Sequence, residues 1–291
     1  MFQMPLSAFL QDESFPFFIQ YGIHKEPLYL HSHDNFSELV IVLSGSAEHI
    51  VDSERYRICK GDVFVISDET EHGYTDVRDF RICNIMFRPS FFLTPELDIT
   101  ESAGFQALFV LEPRYSRKSR FSSRLKLDVD AFLQVNRMID QLYQEFTEKP
   151  DGWKTMLKAE FLALTVTLSR LYRFEAIPDD AGILQLAGAI AYLEKNYAEP
   201  ISVSRLAKLS NYSERQFIRL FKEAFGCIPM TYITNLRMQK ACELLGTTSL
   251  SMAEIASRCG YHDNNYFSRI FKKHNGMTPS AYRARVTKNT P

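Results

Sequence analysis

The sequence predicts an α+β chain of two parts: an N-terminal β-barrel followed by a helical hairpin, then an all-α C-terminal part. Three observations lead there. Short runs rich in Val, Ile and Phe alternate with turn residues from His31 to Arg88, the pattern of a small barrel or jelly roll. A helix, a turn and a second helix occur twice beyond residue 200, about 50 positions apart. Charge divides the same way: residues 180–291 carry a formal +7 and the rest −8, although the whole chain sums to −1. A basic third beside an acidic remainder suits nucleic-acid binding confined to one part.

The C-terminal tandem is the strongest signal. From Ile255 to Arg283 an apolar pair, Ile255-Ala256, precedes a turn at Gly260-Tyr261. A helix follows in which Phe267, Ile270, Phe271 and His274 recur at the spacing of one buried stripe. Gly276 ends it, with Pro279 beyond. The earlier copy runs from Leu206-Ala207 through Asn211-Tyr212 to a helix beginning at Ser213, with Phe217, Leu220, Phe221, Ala224 and Phe225 on its stripe. Phe217, Arg219, Phe221, Lys222, Gly226, Pro229 and Tyr232 recur 50 positions later. Ala207 and Tyr212 recur 49 positions later, so the second copy carries one inserted residue. Each copy is a helix-turn-helix, and Pro229 to Leu245 predicts a helix joining them.

The region from about Ile183 to Arg285 resembles the AraC/XylS DNA-binding domain. Ile255, Ala256, Gly260, Tyr261, Asn264, Tyr266, Phe267, Arg269, Phe271, Lys272, Lys273, Gly276, Thr278, Pro279, Tyr282 and Arg283 carry the resemblance. Asn265 departs from it, standing where a small residue is common. The expected DNA-contacting residues are Ser213, Glu214, Arg215, Ile218, Arg219 and Lys222 in the first motif. In the second they are His262, Asp263, Asn264, Asn265, Ser268, Arg269 and Lys272. Arginine reads guanine and asparagine reads adenine through paired hydrogen bonds, so Arg215, Arg219, Asn264, Asn265, Ser268 and Arg269 are the expected base readers.

In the N-terminal part the expected strands are Glu38–Leu43, Glu48–Val51, Arg55–Ile58, Val63–Ile66 and Phe80–Phe87, with turns at 44–46, 52–53, 60–62 and 67–69. Phe15, Phe17, Phe18 and Ile19 begin a strand or form an arm over a ligand. The constellation His31-x-His33-x4-Glu38-x6-Gly45, then Gly61-x10-His72, resembles the two cupin motifs. Lys25, Ser67 and Glu69 depart from them. Alternate strand residues share a face, so an HxH pair delivers two imidazoles to one point. In metal-dependent cupins the positions of His31, His33, Glu38 and His72 hold a metal, and these ligand types suit Zn, Fe, Ni or Mn. Three readings stand side by side for the four residues: a polar structural remnant, a pocket for a small polar ligand with or without a divalent metal, and a catalytic metal centre. The stretches at 31–52 and Cys83–Pro89 resemble the rhamnose-responsive members of the AraC/XylS family, which implies a sugar effector. Arg81, Asn84, Tyr74 and Glu48 are candidates to read its hydroxyls.

Between the two parts, Phe105, Leu108, Phe109 and Leu111 form an apolar patch. Arg114, Arg117, Lys118, Arg120, Arg124 and Lys126 form a basic run, read as a solvated loop. Asp128 caps a helix, 149–152 breaks it, and Met156, Leu157, Phe161, Leu164, Leu168 and Leu171 mark a second. The family resemblance implies that this hairpin, at about 128–174, dimerises the chain, with Leu164 in the interface. A linker at 175–182 separates an effector-binding part, residues 1–178, from a DNA-binding part, residues 179–291, with motifs at about 202–225 and 251–274.

Five scattered cysteines without a CxxC pair argue for reduced thiols and against a zinc finger. No stretch reads as a secretory signal or a membrane span, so a soluble cytoplasmic protein is expected. The combined reading is a transcriptional regulator, expected to activate a sugar-utilisation operon. Its implied partners are double-stranded operator DNA, a small effector, RNA polymerase and a second copy of itself, with no membrane and no catalytic residue. A cupin metalloenzyme with an accessory DNA-binding part, and an activator blind to any effector, are the alternatives.

Overall fold

The computed structural model describes residues 3–10, 14–51, 54–67, 70–92, 97–112, 125–172 and 181–288. The chain forms two compact units, Met1–Ala187 and Gly188–Pro291.

Among the described residues, the first unit is built on an eight-stranded sheet. Its strands are β1 (Gln3–Pro5), β2 (Phe17–His24), β3 (Leu28–Asp34), β4 (Ser37–Val51), β5 (Glu54–Cys59), β6 (Asp62–Ile66), β7 (His72–Phe87) and β8 (Leu125–Lys126). The order is β1-β3-β7-β4-β6-β8, with β2 on β7 and β5 on β4. The long antiparallel pair of β4 and β7 is the spine, and every other strand leans on it directly or through a neighbour.

Two strands depart from expectation. The residues expected to turn, Ser44-Gly45-Ser46, lie inside one continuous 15-residue strand. There the register with β7 shifts repeatedly, a bulge that bends the strand. Gly45 has φ +69°, and a Cβ on it would meet the Arg78 carbonyl oxygen at 2.2 Å. Only glycine fits, so the turn-like composition marks a bend rather than a reversal. Likewise β7 starts at His72, eight residues before the expected Phe80. Asp76 and Asp79 in its first half take positive φ, the left-handed region where aspartate is tolerated.

Alternation along β4 and β7 gives the sheet two apolar faces. One, with Val40, Val42, Ala47, Ile58, Phe64, Ile66, Tyr74, Phe80 and Ile82, encloses the interior. The other meets the helical hairpin. Short helices α1 (Pro89–Phe92) and α2 (Ala103–Phe105), the latter continuing as a π-helix over Gln106–Leu111, lead towards it. The expected apolar patch is therefore helical, with Phe105, Leu108 and Leu111 buried. Of the basic run, residues 114–124 lie outside the described residues, and Lys126 pairs with buried Asp62 at 3.0 Å. Helix α3 (Val129–Glu148) begins at Asp128, whose carboxylate accepts from the Ala131 N–H. Helix α4 (Trp153–Leu171) runs back after the expected break. Phe161 packs on Phe17 and Phe87 with ring centroids 5.5 and 4.8 Å away. Phe17 and Ile19 are thus core residues of β2 between sheet and hairpin. Leu164, expected at a dimer interface, is also fully buried within this unit.

The second unit takes in the C-terminal half of α5 (Ala181–Lys195) and all of α6 (Val203–Leu209), α7 (Glu214–Phe225), α8 (Pro229–Thr247), α9 (Met252–Arg258), α10 (Asn264–Asn275) and α11 (Pro279–Lys288). The expected caps hold. Gly226 and Gly276 end α7 and α10 in the left-handed region. Ser251 and Glu254 form a reciprocal capping box on α9. Phe267 and Phe271 are buried, but His274 is exposed, off the expected stripe, and its Nε2 lies 3.2 Å from Asn235 Oδ1 on α8.

Candidate DNA-binding surface and barrel site

Helices α7 and α10 are the second helices of their motifs, and each is anchored by a buried stripe. Phe217 and Phe221 anchor α7, and Phe267 and Phe271 anchor α10. That leaves the opposite face to solvent. Glu214, Arg215, Arg219 and Lys222 are exposed on α7, with Ile218 partly so. Asn264, Asn265, Arg269 and Lys272 are exposed on α10, with Ser268 partly so and His262 in the preceding turn. Ser213 and Asp263 are occupied as N-caps. The Ser213 hydroxyl accepts from Gln216 N–H, and the Asp263 carboxylate accepts from Asn265 and Tyr266 N–H. A capping role accounts for both residues. Arg219 lies 3.2 Å from Glu223 within its helix, and the Arg269 guanidinium stacks 5.3 Å from the Tyr266 ring centre. Both arginines lie on the exposed faces of their helices. Helix α8 separates the motifs by 19 residues, about 28 Å at ~1.5 Å per residue.

In the first unit the four expected residues converge. His31 pairs directly across from His72 in the β3–β7 register, and His33 lies on the same face of β3. His72 also pairs with Val51 at the far end of β4 from Glu38. Yet Glu38 Oε2 lies 3.6 Å from His72 Nε2 and 3.4 Å from His33 Nε2. The sheet must fold over at the Gly45 bend to bring the two ends of β4 together. His33 and His72 Nε2 are 3.2 Å apart, and ligand nitrogens of all three histidines fall within 4.8 Å of one another. All four side chains are buried. Phe36 stacks on His33 at 4.3 Å and packs against Leu6.

Burial sets the charge state. It pushes the Glu38 carboxyl up to about 8 and holds His33 down to about 3, with His31 adding to the latter. His72 falls well below its ordinary value, through burial first and the neighbouring imidazoles second. His31 is lowered by burial, opposed by its hydrogen bond to the Tyr29 carbonyl. The cluster is therefore uncharged near neutral pH. His31 Nδ1 sits 3.1 Å from the Tyr29 carbonyl oxygen, which only accepts, so the proton is on Nδ1 and the Nε2 lone pair is available.

The chemistry fits a metal ion. Separations of 3.2, 3.4 and 3.6 Å among His33 Nε2, Glu38 Oε2 and His72 Nε2 match the ~3.4 Å edge of a tetrahedron with bonds of ~2.1 Å. Of the candidate hydroxyl readers, Tyr74 and Asn84 are buried on the barrel interior. Glu48 instead pairs with Arg55 at 2.9 Å and accepts from Thr75, and Arg81 is exposed. The β4 bulge shifts side-chain parity, so alternation alone does not say which of the four face inward.

Comparison with known proteins agrees with both halves. Residues 206–285 match the model of a helix-turn-helix domain, and residues 19–84 that of a cupin domain. The chain is 30% identical over 257 residues to the HTH-type transcriptional activator RhaR of Cronobacter sakazakii, covering 87% of this chain and 86% of that protein. It is 28% identical over 284 residues to RhaR of Mannheimia succiniciproducens, covering 97% and 96%. A solved transcriptional regulator with an AraC-type DNA-binding domain from Chromobacterium violaceum is 34% identical, covering 36% of this chain and 94% of that one, at a TM-score of 0.34. No helix among the described residues is long and apolar enough to cross a membrane. The tandem motifs, their exposed basic faces and relatives matching along nearly the whole chain assign this protein to the AraC/XylS family, as a DNA-binding transcriptional activator and not an enzyme.

Proposed function

We propose that the protein is an effector-responsive activator of a sugar-utilisation operon, acting in the cytoplasm as a homodimer that engages RNA polymerase at paired operator sites. The DNA half of this reading follows from the exposed faces of α7 and α10. The effector half rests chiefly on one observation. Tyr74 Oη, Asn84 Oδ1 and His72 Nδ1 are buried in or beside the barrel interior and have no hydrogen-bond partner among the described residues. Each such atom costs about 1–3 kcal/mol unless something supplies a partner. A polyol such as rhamnose carries hydroxyls that both donate and accept, and is read by a few placed polar groups among apolar walls.

His31, His33, Glu38 and His72 would hold a divalent metal, which would orient the sugar by taking one or two of its hydroxyl oxygens. Tyr74 and Asn84 would then hydrogen-bond the remaining hydroxyls, while Val40, Phe64 and Phe80 exclude water. The resemblance of residues 31–52 and Cys83–Pro89 to the rhamnose-responsive members of the family also supports a sugar effector.

For the dimer, the exposed stripe of α4 is better suited than Leu164. Met156, Ala159, Ala163 and Arg170 are exposed along it, with Leu162 and Val166 partly covered. Val129 and Leu133 add exposed apolar surface on α3. The decisive experiment is a thermal-shift panel of sugars on the full chain, with and without added Zn, Fe, Ni or Mn. A ligand binding only the folded state at 100 times its Kd adds about 2.7 kcal/mol of stability. The effector reading is wrong if neither sugars nor metals raise the melting temperature.

A further inference from the structure

Arg237 lies near the middle of α8, the helix that carries the chain from the first motif to the second. Its guanidinium reaches three backbone carbonyls on two other segments. Nε donates to Tyr197 O at 2.7 Å and Nη2 to Glu199 O at 3.0 Å, both in the turn that leads into α6. Nη1 donates to Gly260 O at 3.2 Å, in the turn between α9 and α10. The guanidinium plane also covers the Tyr261 ring, 5.4 Å from its centre. A glycine closes the same junction from the other side. Gly260 has φ +78°, and a Cβ there would stand 2.3 Å from Ala198 O. The turn of the second motif therefore rests directly on the backbone entering the first.

Away from this junction each motif closes on its own core. Phe221 packs against Tyr232 in the first, and Ile255, Phe267 and Phe271 pack with Met238 and Ala241 in the second. What is shared is α8 itself, and a helix alone leaves rotation about its ends to local packing. We propose that Arg237, with Gly260 as its counterpart, is the positioning residue that locks α7 and α10 at one separation and rotation, and so sets which half-site spacing the protein accepts on DNA. This rests on the reading that both helices enter the major groove.

The chemistry requires arginine. Three carbonyls on two separate segments are met by three different nitrogens of one rigid plane. A lysine ammonium presents its donors from a single point and cannot span them. Locking matters because two linked modules gain affinity through effective concentration. That gain peaks when their separation matches the target and falls when the joint loosens.

The test uses the full chain and a binding site selected from random duplexes. Derivatives of that site carry insertions of up to half a helical turn, about 5 bp, between the half-sites. Two further probes each have one half-site scrambled. Arg237→Lys and Gly260→Ala attack the junction from opposite sides. Both are expected to bind each single half-site within about twofold of wild type. On the intact site both should lose roughly tenfold, and insertions should then cost them little. Retention of the wild-type spacing preference in both variants would overturn the proposal. So would loss of half-site binding in both, since the junction would then be part of each motif's own fold. A wild type indifferent to spacing would instead refute the two-groove reading on which the proposal stands.

Discussion

His33 Nε2 lies 3.2 Å from His72 Nε2, although 39 positions separate the two residues. Glu38 completes a triangle with them, uncharged near neutral pH because burial raises its carboxyl to about 8. A neutral amide is a close substitute for that protonated carboxyl but a poor metal ligand. Glu38→Gln should therefore melt within about 1 kcal/mol of wild type in chelator. Its metal affinity should fall at least about 10–100-fold. Calorimetric titration with Zn checks this, and equal affinity in the two proteins would remove Glu38 from the site.

On the DNA surface, Arg219 and Lys222 share the exposed face of α7 but should behave differently. Arg219→Ala should cost about 1–3 kcal/mol and relax discrimination at one base position. Lys222→Ala should weaken cognate and scrambled duplexes alike and reduce the salt slope by about one. Binding titrations across salt concentration distinguish the two. An unchanged cognate-to-scrambled ratio for Arg219→Ala would show that it does not read a base.

Assembly separates two leucine-zone substitutions that sequence spacing treats alike. Leu164 is fully buried within the first unit, so Leu164→Asp should unfold that unit, costing at least about 3 kcal/mol. Ala163 is exposed on α4. Ala163→Glu should leave the melting temperature of a dilute sample nearly unchanged and shift the protein to a monomer in sedimentation. A dimer that survives Ala163→Glu places the interface elsewhere.

Gly45 bends β4 and lets its two ends approach His72. Gly45→Ala would force a Cβ to within 2.2 Å of Arg78 O at φ +69°. A loss of more than about 2 kcal/mol is expected, read by urea unfolding, together with weaker metal binding. Ordinary glycine-to-alanine stabilisation at this position would contradict the bend.

The cysteines give a test of the packing in both units. Burial pushes the Cys259 thiol up to about 12, and Cys83 is raised further by the same cause. Thiolate is the reactive form, so neither should be alkylated in native protein between pH 7 and about 9. Cys59 is exposed, with the Lys126 ammonium 3.0 Å from its sulfur, and should react first. Mass spectrometry after brief treatment with iodoacetamide reads the order directly.

What could be read from the residues alone was whatever is local. The two motifs declare themselves through i, i+3, i+4 stripes, serine and aspartate caps, and Gly226 and Gly276 past the helix ends. These features need only a turn or two of chain to have meaning, and they recur in both copies. The same holds for His31 and His33, which must share a face because they alternate on one strand. The tertiary structure decided everything that depends on long-range register. Whether 44–46 reverses the chain or bends it depends on the strand lying beside it, and β7 runs on past Gly45. Whether Leu164 faces a partner or the interior of its own unit depends on which side of α4 the rest of that unit covers, and both sides carry apolar residues. Arg237 shows no signal in sequence, because its three partners are backbone carbonyls, which every residue carries. Side-chain pattern records periodicity and capping, whereas convergence of distant backbone is set only once the sheet has curled and the helices have packed.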